Sequence, residues 1–422
     1  MNYLLFIIYL VILCWLLLRM PFIKTLGIDN RVIIGLFLFK ILAGIAIGWI
    51  SIHIYGPGND YWDVHDFALE EYKLLFTDPG KYFSNIFTSD YQNAYAGVFS
   101  SGDSYWNDLK GNIVIKMVSV FNIFSRGDYY INSLFFNFII FFGHVILYRL
   151  FIKLYPDSRI PVIIGCFLLP STIYFSSGIH KDGLVFLMMA VLIYCVYQSL
   201  LKSSITVRRL ILIIISLVLL FLLRTFVFLA LVPALFAWAI AAKTKWPAFI
   251  TFTAIYVLSA LIIFNINSVS NKIQPLNIII ARQKIYKELP VAATQIPLTA
   301  LQPTFKSFAA NATEALNHSL LRPYLWELPV KSLLPLAVEL FIYQLLFLLL
   351  IFYRVKQAGA LNHPFLFFAF GFTLTVLLMI GYIVPNLGTL VRYRSIYLPL
   401  IITPVLCIIN WNKLATQLKI KK

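Results

Sequence analysis

His180, Lys181 and Asp182 stand side by side in "PSTIYFSSGIHKDGLVFL" (170–187), an otherwise apolar stretch. An imidazole, an ammonium and a carboxylate in one turn can move protons, hold an anion or orient a hydroxyl. Ionisable groups at membrane depth generally line a cavity or a substrate path. A plainer reading stays open, in which Asp182 caps the next helix and Lys181 extends its ammonium to the membrane surface. A second set of candidates lies in "YGPGNDYWDVHDFALEEYKLLF" (55–76). Asp60, Asp63 and Asp66 recur every three residues, so a helix here would bring them near one face, with His65 beside them. Gly56, Pro57 and Gly58 are expected to stop the preceding helix, and Asp60, just beyond Asn59, could serve as a general base or take a divalent cation. Asp63 and Asp66 equally suit the positive end of a helix dipole.

Four arginines complete the set: Arg224 in "LLFLLRTFVFLALVP", Arg322 in "HSLLRPYLWELP", and Arg392 and Arg394 in "PNLGTLVRYRSIYLP". Guanidinium groups bind phosphate in bidentate fashion and keep their charge, so this group suits a phosphate or pyrophosphate head at the membrane surface. Anchoring to ordinary lipid phosphates is the alternative.

The elements that must position these residues are set by composition. Of the 422 residues, 61% are hydrophobic and 12% charged, with 37 Phe and 24 Tyr, more apolar surface than a soluble globule can bury. Several runs reach the roughly 20 residues needed to cross hydrocarbon, and none alternates like a barrel strand. The expectation is an all-α, polytopic integral membrane protein. Eleven spans are predicted, at about 3–20, 31–55, 129–152, 158–175, 183–201, 209–223, 225–242, 246–265, 332–353, 364–385 and 395–411. The first lacks a basic n-region and a small-residue cleavage site, so it reads as a span, not a signal peptide. The four cysteines all fall within spans, which speaks against a disulfide framework or a cysteine metal site.

Placing the connections after odd-numbered spans on one side gathers seventeen Lys and Arg there, among them Lys245, Lys356, Lys419, Lys421 and Lys422, against only Asp29 and Asp157. That bias predicts a cytoplasmic basic face, with the N-terminus outside and the C-terminus inside. It also accounts for the net charge of +17 without nucleic acid. Fifteen of the 17 acids, including Asp90 and Asp103, then lie outside or at the outer boundary. One helical membrane domain over 1–422 carries two long outer segments, about 56–128 and 266–331, with amphipathic helices expected along the interface. All the candidates above fall on this outer side. Phosphate-binding loops, dinucleotide fingerprints, zinc-protease and GxSxG motifs are missing, which removes sequence support for ATP-driven transport, dinucleotide redox chemistry and zinc proteolysis.

In layout, "GNDYWDVHD" (58–66) and "PSTIYFSSGIHKDGLVFL" (170–187) resemble the polyprenyl-phosphate-dependent membrane glycosyltransferases of the GT-C superfamily. The tail "PNLGTLVRYRSIYLPL" (385–400) is similar to segments of bacterial surface-polysaccharide polymerases. The first resemblance implies Asp60 as catalytic base and Asp182 as a second site residue. The second implies outer arginines that hold a lipid-linked pyrophosphate. Together they imply transfer of a sugar from a polyprenyl-phosphate donor to a glycan or glycolipid acceptor at the outer face of the bacterial inner membrane, in cell-envelope assembly. A polymerase or ligase acting on undecaprenyl-pyrophosphate-linked oligosaccharide and a flippase of such lipids are the alternatives. The expected partners are membrane lipid, lipid-linked sugar and glycan acceptor, with no nucleic acid and with a divalent cation left open.

Overall fold

Long apolar runs punctuated by capping residues produce helices joined by short polar turns. The computed structural model describes residues 2–85, 105–244, 246–266, 274–288, 290–327, 330–355 and 363–417. Asp90, Asp103, Lys245, Lys356, Lys419, Lys421 and Lys422 lie outside the described residues. In chain order the principal helices are α1 (Tyr3–Arg19), α2 (Asn30–Ile54), α3 (Asp60–Thr77), α4 (Tyr105–Ser125), α5 (Tyr129–Leu154), α6 (Arg159–Phe167), α7 (Pro170–Ser177), α8 (Lys181–Leu201) and α9 (Val207–Leu223). They continue with α10 (Thr225–Lys243), α11 (Ala248–Asn265), α12 (Pro275–Glu288), α13 (Phe305–Leu316), α14 (Leu334–Phe352), α15 (Pro364–Ile383), α16 (Leu387–Ser395) and α17 (Leu398–Ile408). The described residues contain no strand, only isolated bridges at Gln295–Asn386 and Arg354–Ile409.

Among the described residues seven helices are long and apolar enough to cross a membrane, and the chain is a helical, multi-pass membrane protein. These seven correspond to the predicted spans at 31–55, 129–152, 183–201, 225–242, 246–265, 332–353 and 364–385. The other four predicted spans look different. Helices α1 and α9 have 17 residues each, about 25 Å at 1.5 Å per residue. The predicted span at 158–175 is two helices, α6 and α7, because Pro170 has no amide to continue α6 and instead opens the next helix. The predicted span at 395–411 is the 11-residue α17, preceded by α16 and bent from it by 66°. The two segments predicted to lie outside hold helix: α3 and α4 in the first, and α12 and α13 in the second.

Two compact units share the chain. The first comprises Met1–Arg149, Thr172–Tyr194 and Ile211–Leu223. Its core is built on α2 and α5, with Phe37, Phe136, Phe141, Val145 and Phe186 fully or nearly fully buried. A side chain at Gly48 would run into the Tyr129 ring, so that glycine lets α5 approach α2 closely. The second unit comprises Leu150–Ser171, Cys195–Leu210 and Arg224–Lys422. There α10 packs on α11 and α15, α6 on α17, and α13 on α15. Trp238 of α10 stacks on Phe368 of α15 at 4.6 Å between ring centres.

Candidate functional site

In the first unit the site starts at the end of α2. Gly56 and Gly58 take φ values of +83° and +77°, which a side chain would resist, and with Pro57 they turn the chain sharply. Asn59 then fastens the turn in both directions. Its Oδ1 accepts the amides of Tyr61 and Trp62 at 3.3 Å each, capping α3, while its Nδ2 donates to Ser51 O at 3.2 Å and Gly56 O at 2.7 Å. Asp60 is therefore the first helical residue, and it is exposed. Trp62 locks the helix from the other side, donating Nε1–H to Gly48 O at 3.0 Å and stacking on Tyr129 at 4.2 Å.

Helical periodicity sorts the candidates of α3. Tyr61, His65 and Ala68 form the buried face, whereas Asp60 and Asp63 lie on another face with Val64 and Phe67. His65 thus parts from the acids: its Nδ1 lies 3.3 Å from Asn132 Nδ2, and Asn132 also donates to Asn122 Oδ1 at 2.6 Å. Burial pulls the His65 imidazole below its ordinary range, against the pull of Asp66 and Asp128. Partial desolvation, followed by the charges of Asp60 and Asp66, pushes the Asp63 carboxyl above its ordinary value. Asp66 is exposed and does not line the cleft described next.

A cleft of about 340 Å³ is lined by Asp60, Asp63, Val64 and Phe67 of α3, Gly111, Val114 and Ile115 of α4, and His180 and Lys181. Two stretches more than a hundred residues apart in sequence are thereby brought to one place. Gly178 makes this approach possible, since a side chain there would strike the Tyr61 ring and lie 3.0 Å from Ile47 Cδ1. Tyr61 in turn meets the His180 ring edge-on, 5.8 Å between centres.

Asp182 is fully buried and is not in the cleft wall. The capping role expected for it is not what the geometry gives, because α8 already begins at Lys181 and Asp182 is its second residue. His180 Nδ1 lies 3.2 Å from Asp182 Oδ2 and 3.4 Å from the Asp182 amide nitrogen. One nitrogen cannot donate to the carboxylate and accept from the amide together. The carboxylate contact is the shorter, so we assign the proton to Nδ1, donating to Asp182, which makes Nε2 the basic nitrogen of the ring. Asp182 is a residue that orients His180.

Sequence reasoning passed over the support beneath this turn. Lys40 of α2 is fully buried, and its Nζ donates to Ser176 Oγ at 3.0 Å and Ser177 Oγ at 3.1 Å, the last two residues of α7. Asn137 of α5 donates to Ser177 O at 2.9 Å. A cation at the C-terminal end of α7 meets the negative pole of that helix, immediately before the His180 turn.

The arginines all belong to the second unit. The Arg224 guanidinium lies 3.9 Å from the centre of the Tyr393 ring, and Tyr393 Oη is 3.1 Å from Tyr286 Oη. Burial and the Tyr393 neighbour push the Tyr286 phenol upward. Arg392, half-buried, precedes Tyr393 on α16. Arg322 and Arg394 are engaged otherwise than expected. Arg322 forms a two-pronged ion pair with Glu327, with Nε at 2.7 Å from Oε2. Arg394 is buried and donates to the Ser319 and Arg322 carbonyls, near the charge of Glu339. Glu339 itself accepts from the Ser171 amide, the Ser171 hydroxyl and Tyr343 Oη. These two arginines hold backbone and acid in place, and Arg224 is itself buried against the Tyr393 ring. Among the described residues no three His, Cys, Asp or Glu side chains gather as a metal site. Set against protein-family models, curated proteins and solved structures, the chain matches none.

Proposed function

We propose that this protein is a membrane glycosyltransferase that takes a sugar from a polyprenyl-phosphate donor at the outer face of the bacterial inner membrane, in cell-envelope glycan or glycolipid assembly. The observation that carries this reading is the cleft that has Asp60, Asp63, His180 and Lys181 in its lining. Asp60, exposed at the start of a capped helix, takes the proton of an acceptor hydroxyl. The acceptor oxygen bonds to the anomeric carbon, the bond from that carbon to the phosphate oxygen breaks, and the electron pair leaves with the phosphate. Arg224 and Arg392 are the guanidinium candidates for that anion. In this reading the chain crosses eleven times with the N-terminus outside; seven long helices account for seven of those crossings, and the basic charge bias supports the orientation.

The test is a transfer assay with purified protein and lipid-linked sugars recovered from a deletion strain. Asp60→Asn should lower turnover by roughly a hundredfold or more, and full activity in that variant would remove Asp60 as base. One observation favours a second reading, a lipid-linked glycan flippase: Lys40 lies fully buried among Ser176, Ser177 and Asn137 at membrane depth. Flipping in proteoliposomes without transfer would decide for it.

A further inference from the structure

We infer that the cleft of the first unit receives the acceptor, and that the acceptor is a neutral amphiphile, a hydroxyl-bearing sugar head on an apolar chain. The inference rests on the transferase reading and deepens it. The lining is of two kinds: Asp60, Asp63, His180 and Lys181 are charged or polar, whereas Val64, Phe67, Val114 and Ile115 are apolar. At about 340 Å³ it lies at the lower end of the range for small-ligand sites. A free sugar would satisfy the polar groups and leave the apolar ones against water. An amphiphile covers both.

Charge decides which head fits. Two carboxylates and one ammonium line the cleft, and Asp66 is close enough to act on Asp63. A phosphate would bring negative charge against an excess of the same sign. Hydroxyls instead donate to the carboxylates and accept from Lys181, whose charge offsets one of the two acids. The lining of this cleft therefore does not suit the donor phosphate. The apolar part of the lining is also open: a side chain built on Gly111 meets nothing within 4 Å, and Phe67 is 54% exposed. Gly111→Leu should fill the cleft without disturbing the fold, since leucine is the better helix former.

Two photoaffinity probes test this on the full chain in lipid nanodiscs, a glucoside and a phosphate on the same diazirine-bearing alkyl chain, with labelled peptides read by mass spectrometry. In the wild type the glucoside should label 64–67 and 111–115 roughly fivefold above the phosphate probe. Gly111→Leu and Phe67→Ala should each lower that labelling several-fold, and the pair Asp60→Asn with Asp63→Asn should raise labelling by the phosphate. Phosphate labelling equal to or above glucoside labelling in the wild type, or glucoside labelling indifferent to Gly111→Leu, would overturn the inference. Labelling needs no turnover, so the two readings fail separately. A phosphate preference with transfer still dependent on Asp60 sinks only the acceptor assignment. Expected labelling in a chain that transfers no sugar sinks only the transferase.

Discussion

Replacing Asn59 tests how the sequence aims Asp60. In Asn59→Ala the cap of α3 is lost, which costs about 1 kcal/mol. The two bonds that Asn59 Nδ2 donates to Ser51 O and Gly56 O are lost as well, about 1 kcal/mol each before water compensates at this half-buried position. A total of about 2–3 kcal/mol is a local quantity, because α3 remains held by Trp62 on Gly48 and Tyr129. It corresponds to a roughly thirty- to hundred-and-fiftyfold rise in opening of the turn. Amide hydrogen exchange in nanodiscs should show that rise at Tyr61 and Trp62, with the exchange of α5 unchanged. Asn59→Ser keeps an oxygen for the two amides and loses only the donated bonds, so it should fall between the wild type and alanine. Identical exchange in all three proteins would refute the reasoning and leave Gly-Pro-Gly alone as what holds the turn.

His65 is held below its ordinary value of 6.5 by burial, so the unfolded chain takes up the proton first. Its contribution is complete above that value and is lost as pH falls through it, and His65→Gln should flatten the decline in thermal midpoint between about pH 7 and pH 5. Lys40→Met should leave thermal stability equal or higher, because it removes a buried cation while Ser176 and Ser177 still donate to Ile173 O. Transfer should nevertheless drop by about tenfold as the His180 turn loses its support, and a variant both stable and fully active would dismiss that role. A double-mutant cycle on Arg322 and Glu327 should give a coupling of about 1 kcal/mol, and a coupling near zero would return Arg322 to the phosphate-binding candidates.

What the sequence made legible follows from how far its signals reach. Apolar length and the charge bias are properties of local windows, so the helical membrane class and seven of the spans are readable in advance. Gly-Pro-Gly before Asp60 is equally local, and the turn is where it was expected. The break of 158–175 was also within reach, since Pro170 cannot extend α6, but hydropathy averaged over a span hides a single proline. Grouping His65 with the acids failed on period: spacing of three gathers 60, 63 and 66, whereas burial at 61, 65 and 68 shows that His65 belongs to the opposite, packed face.

The remainder depended on contacts that no window contains. Glu327 takes Arg322 across the turn closed by its own amide on Tyr324 O, not along a helix, so no spacing rule pairs them. Lys40 finds Ser176 and Ser177 at a separation of 136 and 137 residues, and the acids meet His180 and Lys181 only after α3 and α7 have packed. The apolar lining from α4 shows why this matters for function. Val114 and Ile115 carry no chemistry of their own and would never be chosen as site residues from sequence. Yet with them the cleft has an apolar as well as a charged lining, and the question put to it changes from which residue is the base to which molecule has both a polar and an apolar part. The acids say where a proton can go, but the side chains with no chemistry say what brings it there.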